Sequence, residues 1–253
     1  MTERNWFALK HKEHVARALE RQLDYQERKA ERLRDNEKSA LASMMRASLN
    51  VRKQLEEIKL ISLDSKILEV GSGAHGLIFS FGKEFSVGID PLAVEYAHLF
   101  PLWQRKAQTI AALGEQLPFA DASFDVVLSD NVIDHAEKPF VIVEELARVL
   151  TSGGLLYFTV SVHHPFYSLA SDVYGISRAL GLRFEISPLA DHTVHLTAKK
   201  VRKVLVKLPF QIVKEQVRYN SVRNLRIKYF GESLKRVFFK NVLFEAIAVK
   251  VNY

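Results

Sequence analysis

The chain has 253 residues, 48% of them apolar, a formal charge of +7 and no cysteine. That allows a sizeable core and rules out a disulfide framework, a thiol nucleophile and thiolate metal sites. The start Met1-Thr2-Glu3-Arg4-Asn5 has neither the basic region nor the apolar core of a secretory signal, and no stretch approaches the roughly 20 apolar residues needed to span a bilayer, so a cytoplasmic protein is expected.

Residues 11–38 are rich in Arg, Lys, Glu and Gln, with apolar side chains reduced to Val15, Leu19, Leu23 and Leu33, and read as an amphipathic helix with a thin apolar stripe. A second helix is expected over 39–59, burying Leu41, Met44, Met45, Leu49, Leu55 and Ile58. Trp6 and Phe7 read either as an anchor for the first helix or as contacts to a substrate. Residues 1–62 form a helical extension ahead of a domain that occupies 63–253.

Ile67 to Val70 is a short apolar run of buried-strand type that ends on Gly71-Ser72-Gly73, where glycines let backbone approach a ligand closely. A second run, Phe85 to Ile89, ends on Asp90. In an open parallel sheet, the carboxyl ends of neighbouring strands share one ligand crevice. The two oxygens of one carboxylate there match two hydroxyls of a ribose. Gly71-x-Gly73-x-x-Gly76 with Asp90 also fits the dinucleotide fingerprint of a nicotinamide-dependent oxidoreductase. Glu69 opposes that reading, because a carboxylate at this turn repels a pyrophosphate and suits a cationic ligand. Further strands are expected near 107–112, 124–129, 155–161, 210–216 and 243–251. Alternation with helices gives a doubly wound, Rossmann-like, mostly parallel sheet, and the last two strands form an antiparallel hairpin across a long basic connection over 218–240.

The fourth strand leads into Ser129-Asp130-Asn131-Val132-Ile133-Asp134-His135, where His135 is a candidate general base for a hydroxyl acceptor; its alternative roles are to bond backbone or to line a cofactor. His163 and His164 follow the fifth strand and, with Tyr167, are candidate acceptor contacts. No metal site is expected, since adjacent side chains on extended chain point apart and Asp191, His192 and His195 are remote in sequence. An insert over about 165–190, with Phe166, Tyr174, Leu180 and Phe184, reads as a helical lid over an apolar acceptor pocket or as ordinary core.

Three stretches together resemble the class I S-adenosylmethionine-dependent methyltransferases, especially the small-molecule methylases of ubiquinone and sterol type. They are Glu69-Val70-Gly71-Ser72-Gly73, then Leu117 through Ser129, then Glu145-Leu146-Ala147-Arg148-Val149-Leu150-Thr151-Ser152-Gly153-Gly154. His195-Leu196-Thr197, followed by a helix and Pro209-Phe210, resembles the family's late region, so the likeness covers about residues 66 to 217. The resemblance implies a seven-stranded sheet and S-adenosyl-L-methionine as cofactor, with S-adenosyl-L-homocysteine as product. It implies cofactor contacts from Glu69, Gly71, Ser72, Gly73, Asp90, Pro91, Glu115, Gln116, Leu117, Asp130 and Asn131, and N-terminal helices that cap the crevice. One position departs from the pattern: Leu113 stands where family members commonly carry an acid for the adenine amino group. Backbone of Glu115 and Gln116 is the expected substitute, with Leu117 as an apolar wall.

Charge is uneven along the chain: 14 Lys and Arg against 11 Asp and Glu in residues 1–65, 8 against 15 in 66–198, and 14 against 3 in 199–253. The basic tail suits nucleic acid, anionic lipid or a phosphorylated substrate, or is simply a solvated face. The expectation is a methyltransferase acting on a small-molecule or lipid-like acceptor. The alternative is a non-catalytic cofactor-binding module whose basic C-terminal region binds nucleic acid or membrane. Neither the oligomeric state nor the choice among oxygen, nitrogen and carbon acceptors is encoded legibly.

Overall fold

The structure, a computed structural model, describes residues 3–82, 85–136, 138–162, 196–218 and 242–252, and for residues 3–15 and His135 it describes backbone alone. The chain divides into two compact units, Met1–Pro118 and Phe119–Tyr253. Its strands form a seven-stranded sheet in the order β3-β2-β1-β4-β5-β7-β6. In chain order they are β1 (Lys66–Val70), β2 (Phe85–Ile89), β3 (Gln108–Ile110), β4 (Phe124–Asp130), β5 (Leu150–Val162), β6 (Phe210–Arg218) and β7 (Val242–Lys250). Pairs β1–β2, β2–β3 and β4–β5 are parallel, whereas β5–β7 and β6–β7 are antiparallel. The expected mostly parallel sheet with a final antiparallel hairpin is therefore present.

In the first unit, α1 (Glu3–Leu33) and α2 (Glu37–Glu56) are separated by a short break at which Asn36 stands as the N-cap residue of α2. The buried face of α2 includes the expected Met44 and Leu55 but is otherwise turned from the expected one. Met44, Ser48, Val51 and Leu55 recur at i, i+4, i+7 and i+11 and point inward, while Met45 and Leu49 are exposed. Ser48 earns its inward place by donating from its hydroxyl to the Leu77 carbonyl at 2.8 Å. Parallel neighbours normally need a long crossover, usually a helix. Between β1 and β2 the chain instead makes one 3-10 turn, Leu77–Ser80, with Leu77, Ile78, Phe79 and Phe81 buried. The helix that covers this short crossover is α2, which precedes β1 in sequence. Beside Ser48, Arg52 donates to the carbonyls of Phe81 (3.2 Å) and Ile61 (3.3 Å) and pairs with Glu56 at 2.9 Å. After β2 come α3 (Ala93–Leu99) and the one-turn α4 (Pro101–Gln104), which carries proline at its start.

In the second unit, α5 (Pro139–Val149) buries Ile142, Val143, Leu146, Ala147 and Val149, and runs directly into β5. Strand β5 begins five residues earlier than expected, at Leu150, because the register against β4 slips between Phe124 and Val126 to absorb the turn over Thr151–Gly154. Gly153 has φ 70°, and a Cβ on Gly154 would lie 2.8 Å from the Thr151 carbonyl oxygen, so this corner admits glycine at both positions. Arg148 pins the entry to β4: its guanidinium reaches Glu145 (2.6 Å), Asp121 (2.8 Å) and the Phe119 carbonyl (2.8 Å). Helix α6 (Ala198–Lys207) is capped by Thr197, whose hydroxyl accepts from the Lys200 amide at 3.2 Å, and packs through Val201 and Leu205.

Candidate functional site

The glycine turn sits at the carboxyl end of β1. Gly71 and Gly73 have φ values of 74° and 53°, a left-handed conformation that a side chain opposes. The amides of Gly71 and Ser72 donate to the Ile89 carbonyl at 2.7 and 3.0 Å, which ties the turn to the end of β2. There Asp90 accepts from the Gly73 amide (3.0 Å) through one oxygen and from the Leu92 amide (2.9 Å) through the other. A carboxylate offers about four lone-pair sites, so each oxygen keeps capacity for one more donor. Burial raises the Asp90 pKa above the ordinary aspartate range, against the opposing pull of those two amides. A further pair of donors, such as ribose hydroxyls, would ease that burial.

Glu69, expected beside the cofactor, lies beneath the turn at the end of β1. It is 1% exposed, and its two oxygens accept from the amides of Leu77 (3.0 Å) and Ile78 (2.8 Å). The carboxylate thus caps the start of the 3-10 turn from beneath, where the partial positive charge of unpaired N–H groups favours an anion. Gly76 makes room for it, since a Cβ there would approach Glu69 Oε2 and the Ser72 carbonyl oxygen to 2.5 Å. Gly88 serves the turn in the same way, because a Cβ would meet Ser72 Oγ at 2.7 Å.

Two side chains not anticipated from sequence hold the turn from its other side. Trp103 Nε1 donates to the Ala74 carbonyl at 2.7 Å, and Gln104 Nε2 reaches the carbonyls of Gly73 and Ala74 at 3.1 Å each. His75 packs its ring against Phe100 and Trp103, with centroids 4.7 and 5.3 Å apart, and burial, reinforced by the Lys29 charge, lowers its pKa to about 4. Tyr96 is buried on α3; burial, and then the Asp90 charge, pushes its phenol far above the usual range, while the Gln22 side chain of α1 hydrogen-bonds it. No spacing rule singles out Trp103 or Gln104, which stand on a four-residue helix.

At the end of β3, the Gln116 amide closes a turn onto the Leu113 carbonyl at 3.3 Å. Leu113 is 50% exposed, and Leu117 is 4% exposed.

In the second unit, the carboxyl ends of β4 and β5 are laced together. Thr159 Oγ1 donates to Asp130 Oδ1 at 2.5 Å and accepts from the Asn131 amide at 2.9 Å. Asn131 has φ 56°, a left-handed backbone that asparagine tolerates better than most residues, and its Oδ1 accepts from the Ser161 amide (2.9 Å) and hydroxyl (2.6 Å). Behind them on β7, buried Glu245 pairs with Arg218 and accepts from the Tyr157 phenol at 3.4 Å. His135 closes the 3-10 turn Ile133–His135, which follows this corner. His163, His164, Tyr167 and the insert over 165–190 lie outside the described residues, as does the basic connection over 219–241. Among the described residues no cluster of three or more His, Asp or Glu has the arrangement of a metal site, and no helix is long and apolar enough to cross a membrane.

A glycine turn over a half-buried acid at the end of the next strand, on a sheet of this order, accords with a Rossmann-like fold. Residues 68–158 match the family of the methyltransferase domain. An uncharacterised methyltransferase of Mycobacterium sp. (strain JLS) is 37% identical over 99 residues, a match that takes in 38% of this chain and 38% of the length of that relative. Among solved structures, a Bacillus halodurans methyltransferase, itself identified only provisionally, superposes with a TM-score of 0.57 at 16% identity, covering 79% of this chain and 99% of that one. A Haemonchus contortus N-methyltransferase, solved with phosphomonomethylethanolamine and S-adenosylhomocysteine, gives 0.55 at 16% identity over 80% of this chain and 53% of that one. Over residues 68–158 the chain is thus similar to methyltransferase domains, and it spans well under half the length of the curated relatives it matches.

Proposed function

We propose that the protein transfers a methyl group from S-adenosyl-L-methionine to a small-molecule or lipid-like acceptor in the cytoplasm, releasing S-adenosyl-L-homocysteine. The observation that carries the reading is Asp90, a half-buried carboxylate beneath a left-handed glycine turn, held by two amides and with acceptor capacity left for two hydroxyls. Main chain of Gly71, Ser72 and Gly73 would hold the rest of the ribose and amino-acid portion, together with Pro91. Backbone of Glu115, Gln116 and Leu117 would take the adenine in place of the acid absent at Leu113. The cofactor supplies an activated methyl group on a good leaving group. What remains for this chain is to hold an acceptor in line and exclude water, a task of positioning more than of acid-base chemistry. We assign Asp130 and Asn131 to the cofactor, fixed by Thr159 and Ser161. His135 is the base for an acceptor that must lose a proton, and His163, His164 and Tyr167 are acceptor contacts. In this reading residues 63–253 form the catalytic domain, and 1–62 cap it.

Parallel calorimetric titrations with S-adenosylmethionine, S-adenosylhomocysteine and NAD test the assignment. Binding of the two adenosyl ligands, lost in Asp90→Ala, supports it. Binding of NAD alone assigns the turn to a nicotinamide enzyme, because Gly71, Gly73 and Asp90 satisfy that pattern too. Adenosyl binding without turnover across an acceptor screen favours the cofactor-binding module.

A further inference from the structure

Helix α6 carries a concentrated row of exposed lysines. Successive helical residues are about 100° apart, which puts Lys199, Lys203 and Lys207 in one row at i, i+4 and i+8. Lys200 lies beside the row, and all four lysines are exposed. Val201 and Leu205 face the opposite way, into the core. Among the described residues no carboxylate is ion-paired with Lys199, Lys203 or Lys207, whereas Arg202 is held in a two-pronged pair by Glu215 of β6. Lys199 and Lys200 also stand in the first helical turn, where the helix dipole disfavours cations by roughly 0.3–1 kcal/mol each. Local stability therefore does not account for the row of Lys199, Lys203 and Lys207, whose like-charged neighbours at i+4 repel one another.

We propose that this lysine face of α6 docks the protein reversibly on an anionic membrane surface. The charge pattern suits any polyanion, and three details favour lipid over nucleic acid. The row is made of lysine, a compact point charge suited to diffuse headgroup charge, while the one arginine of the helix, the better fork for phosphodiester oxygens, is committed to Glu215. Val206, 59% exposed, sits between Arg202 and Lys199 around the helix, where an apolar contact fits the headgroup boundary and gains nothing against phosphodiester. No aromatic side chain is exposed on α6 or on β6, the edge strand it packs against, so a base has nothing to stack on there. Docking of this kind goes beyond methyl transfer and does not depend on it.

The test is flotation of the full-length protein with phosphatidylcholine vesicles, with and without phosphatidylserine, beside the triple variant Lys199→Glu/Lys203→Glu/Lys207→Glu. These side chains are exposed, and thermal unfolding of the variant verifies that it is folded. The expected result is binding only to the phosphatidylserine vesicles, weakened by added salt. It should fall by at least about a hundredfold in the triple variant, at roughly fivefold for each positive charge lost and more for its reversal. Val206→Asp should weaken it further than the added salt does. Absence of vesicle binding overturns the proposal. So does undiminished binding by the triple variant, which would move the contact to another surface. Duplex DNA that binds more tightly than the vesicles at equal phosphate, and is lost in the same variant, would reassign the face to nucleic acid.

Discussion

Glu69 and His75 flank one short loop, Glu69 as an acceptor for two of its amides and His75 as a ring packed on Phe100 and Trp103. Glu69 is buried as an acceptor for two amides, so its removal strands both N–H groups away from water. An unsatisfied buried donor costs about 1–3 kcal/mol, and Glu69→Ala should therefore lose about 2–4 kcal/mol in urea unfolding, with Glu69→Gln losing less because one acceptor survives. A loss in Glu69→Ala no larger than that of an exposed control such as Glu57→Ala would refute the capping role. His75 is held neutral: burial lowers its pKa from 6.5 to about 4. The unfolded chain takes up a proton near pH 6.5 and the folded one does not until about pH 4, so stability is intact above that window and declines as pH falls through it. Replacing the ring with another flat apolar one in His75→Phe should keep the packing on Phe100 and Trp103 and flatten that component of the pH dependence. Identical acid slopes for the two proteins would show that His75 already titrates normally.

The crossover between β1 and β2 shows how an element can be supplied from elsewhere in the chain. One 3-10 turn does the local work, and α2 provides the cover through Ser48 and Arg52. Arg52→Met keeps much of the apolar stem but leaves the carbonyls of Phe81 and Ile61 without its guanidinium. It should cost about 1–3 kcal/mol in chemical denaturation while leaving far-ultraviolet dichroism unchanged. No measurable loss would mean that water replaces the guanidinium freely. The same elements mark the border of what the sequence makes legible. Strands β1, β2 and β4, the turn at Gly71 and Gly73, and Asp90 are readable because apolar runs, obligatory glycines and a strand-end acid each have a local physical cause. The buried face of α2 is not, since an inward serine is favourable only when a distant carbonyl such as that of Leu77 waits for it. The early start of β5 is hidden for a similar reason: the slip against β4 is a property of the pair, and residues 151–154 alone read as a turn. Trp103 and Gln104 clamp carbonyls some thirty residues earlier, a relation that no spacing encodes.

At the scale of the whole molecule, ligand binding and folding are linked, because a ligand that binds the native chain alone stabilises it by about 2.7 kcal/mol at a hundred times its dissociation constant. For a chain of this size each kcal/mol raises the melting temperature by about 2–4 °C, so saturating S-adenosylhomocysteine should raise it by about 5–10 °C, and NAD should not. Asp90→Ala should remove most of that rise, since the two hydroxyl contacts expected there are worth roughly 1.5–3 kcal/mol each when made to a charged acceptor. The rise should also depend on pH with a defined sign. Burial raises the Asp90 pKa, so on acidification the native carboxylate takes up its proton earlier than an ordinary aspartate does. The protonated group is an acceptor of reduced strength. The ligand-induced shift should therefore shrink as pH falls, beginning above the ordinary aspartate range, while the unliganded protein gains relative stability from Asp90 over the same interval. Scanning the melting temperature with and without S-adenosylhomocysteine from neutral pH downward separates the two effects. The His75 contribution is common to both scans and cancels in the difference, whereas the Asp90 contribution remains. A difference that stays constant down to the pH at which free aspartate titrates would remove Asp90 from the ligand site.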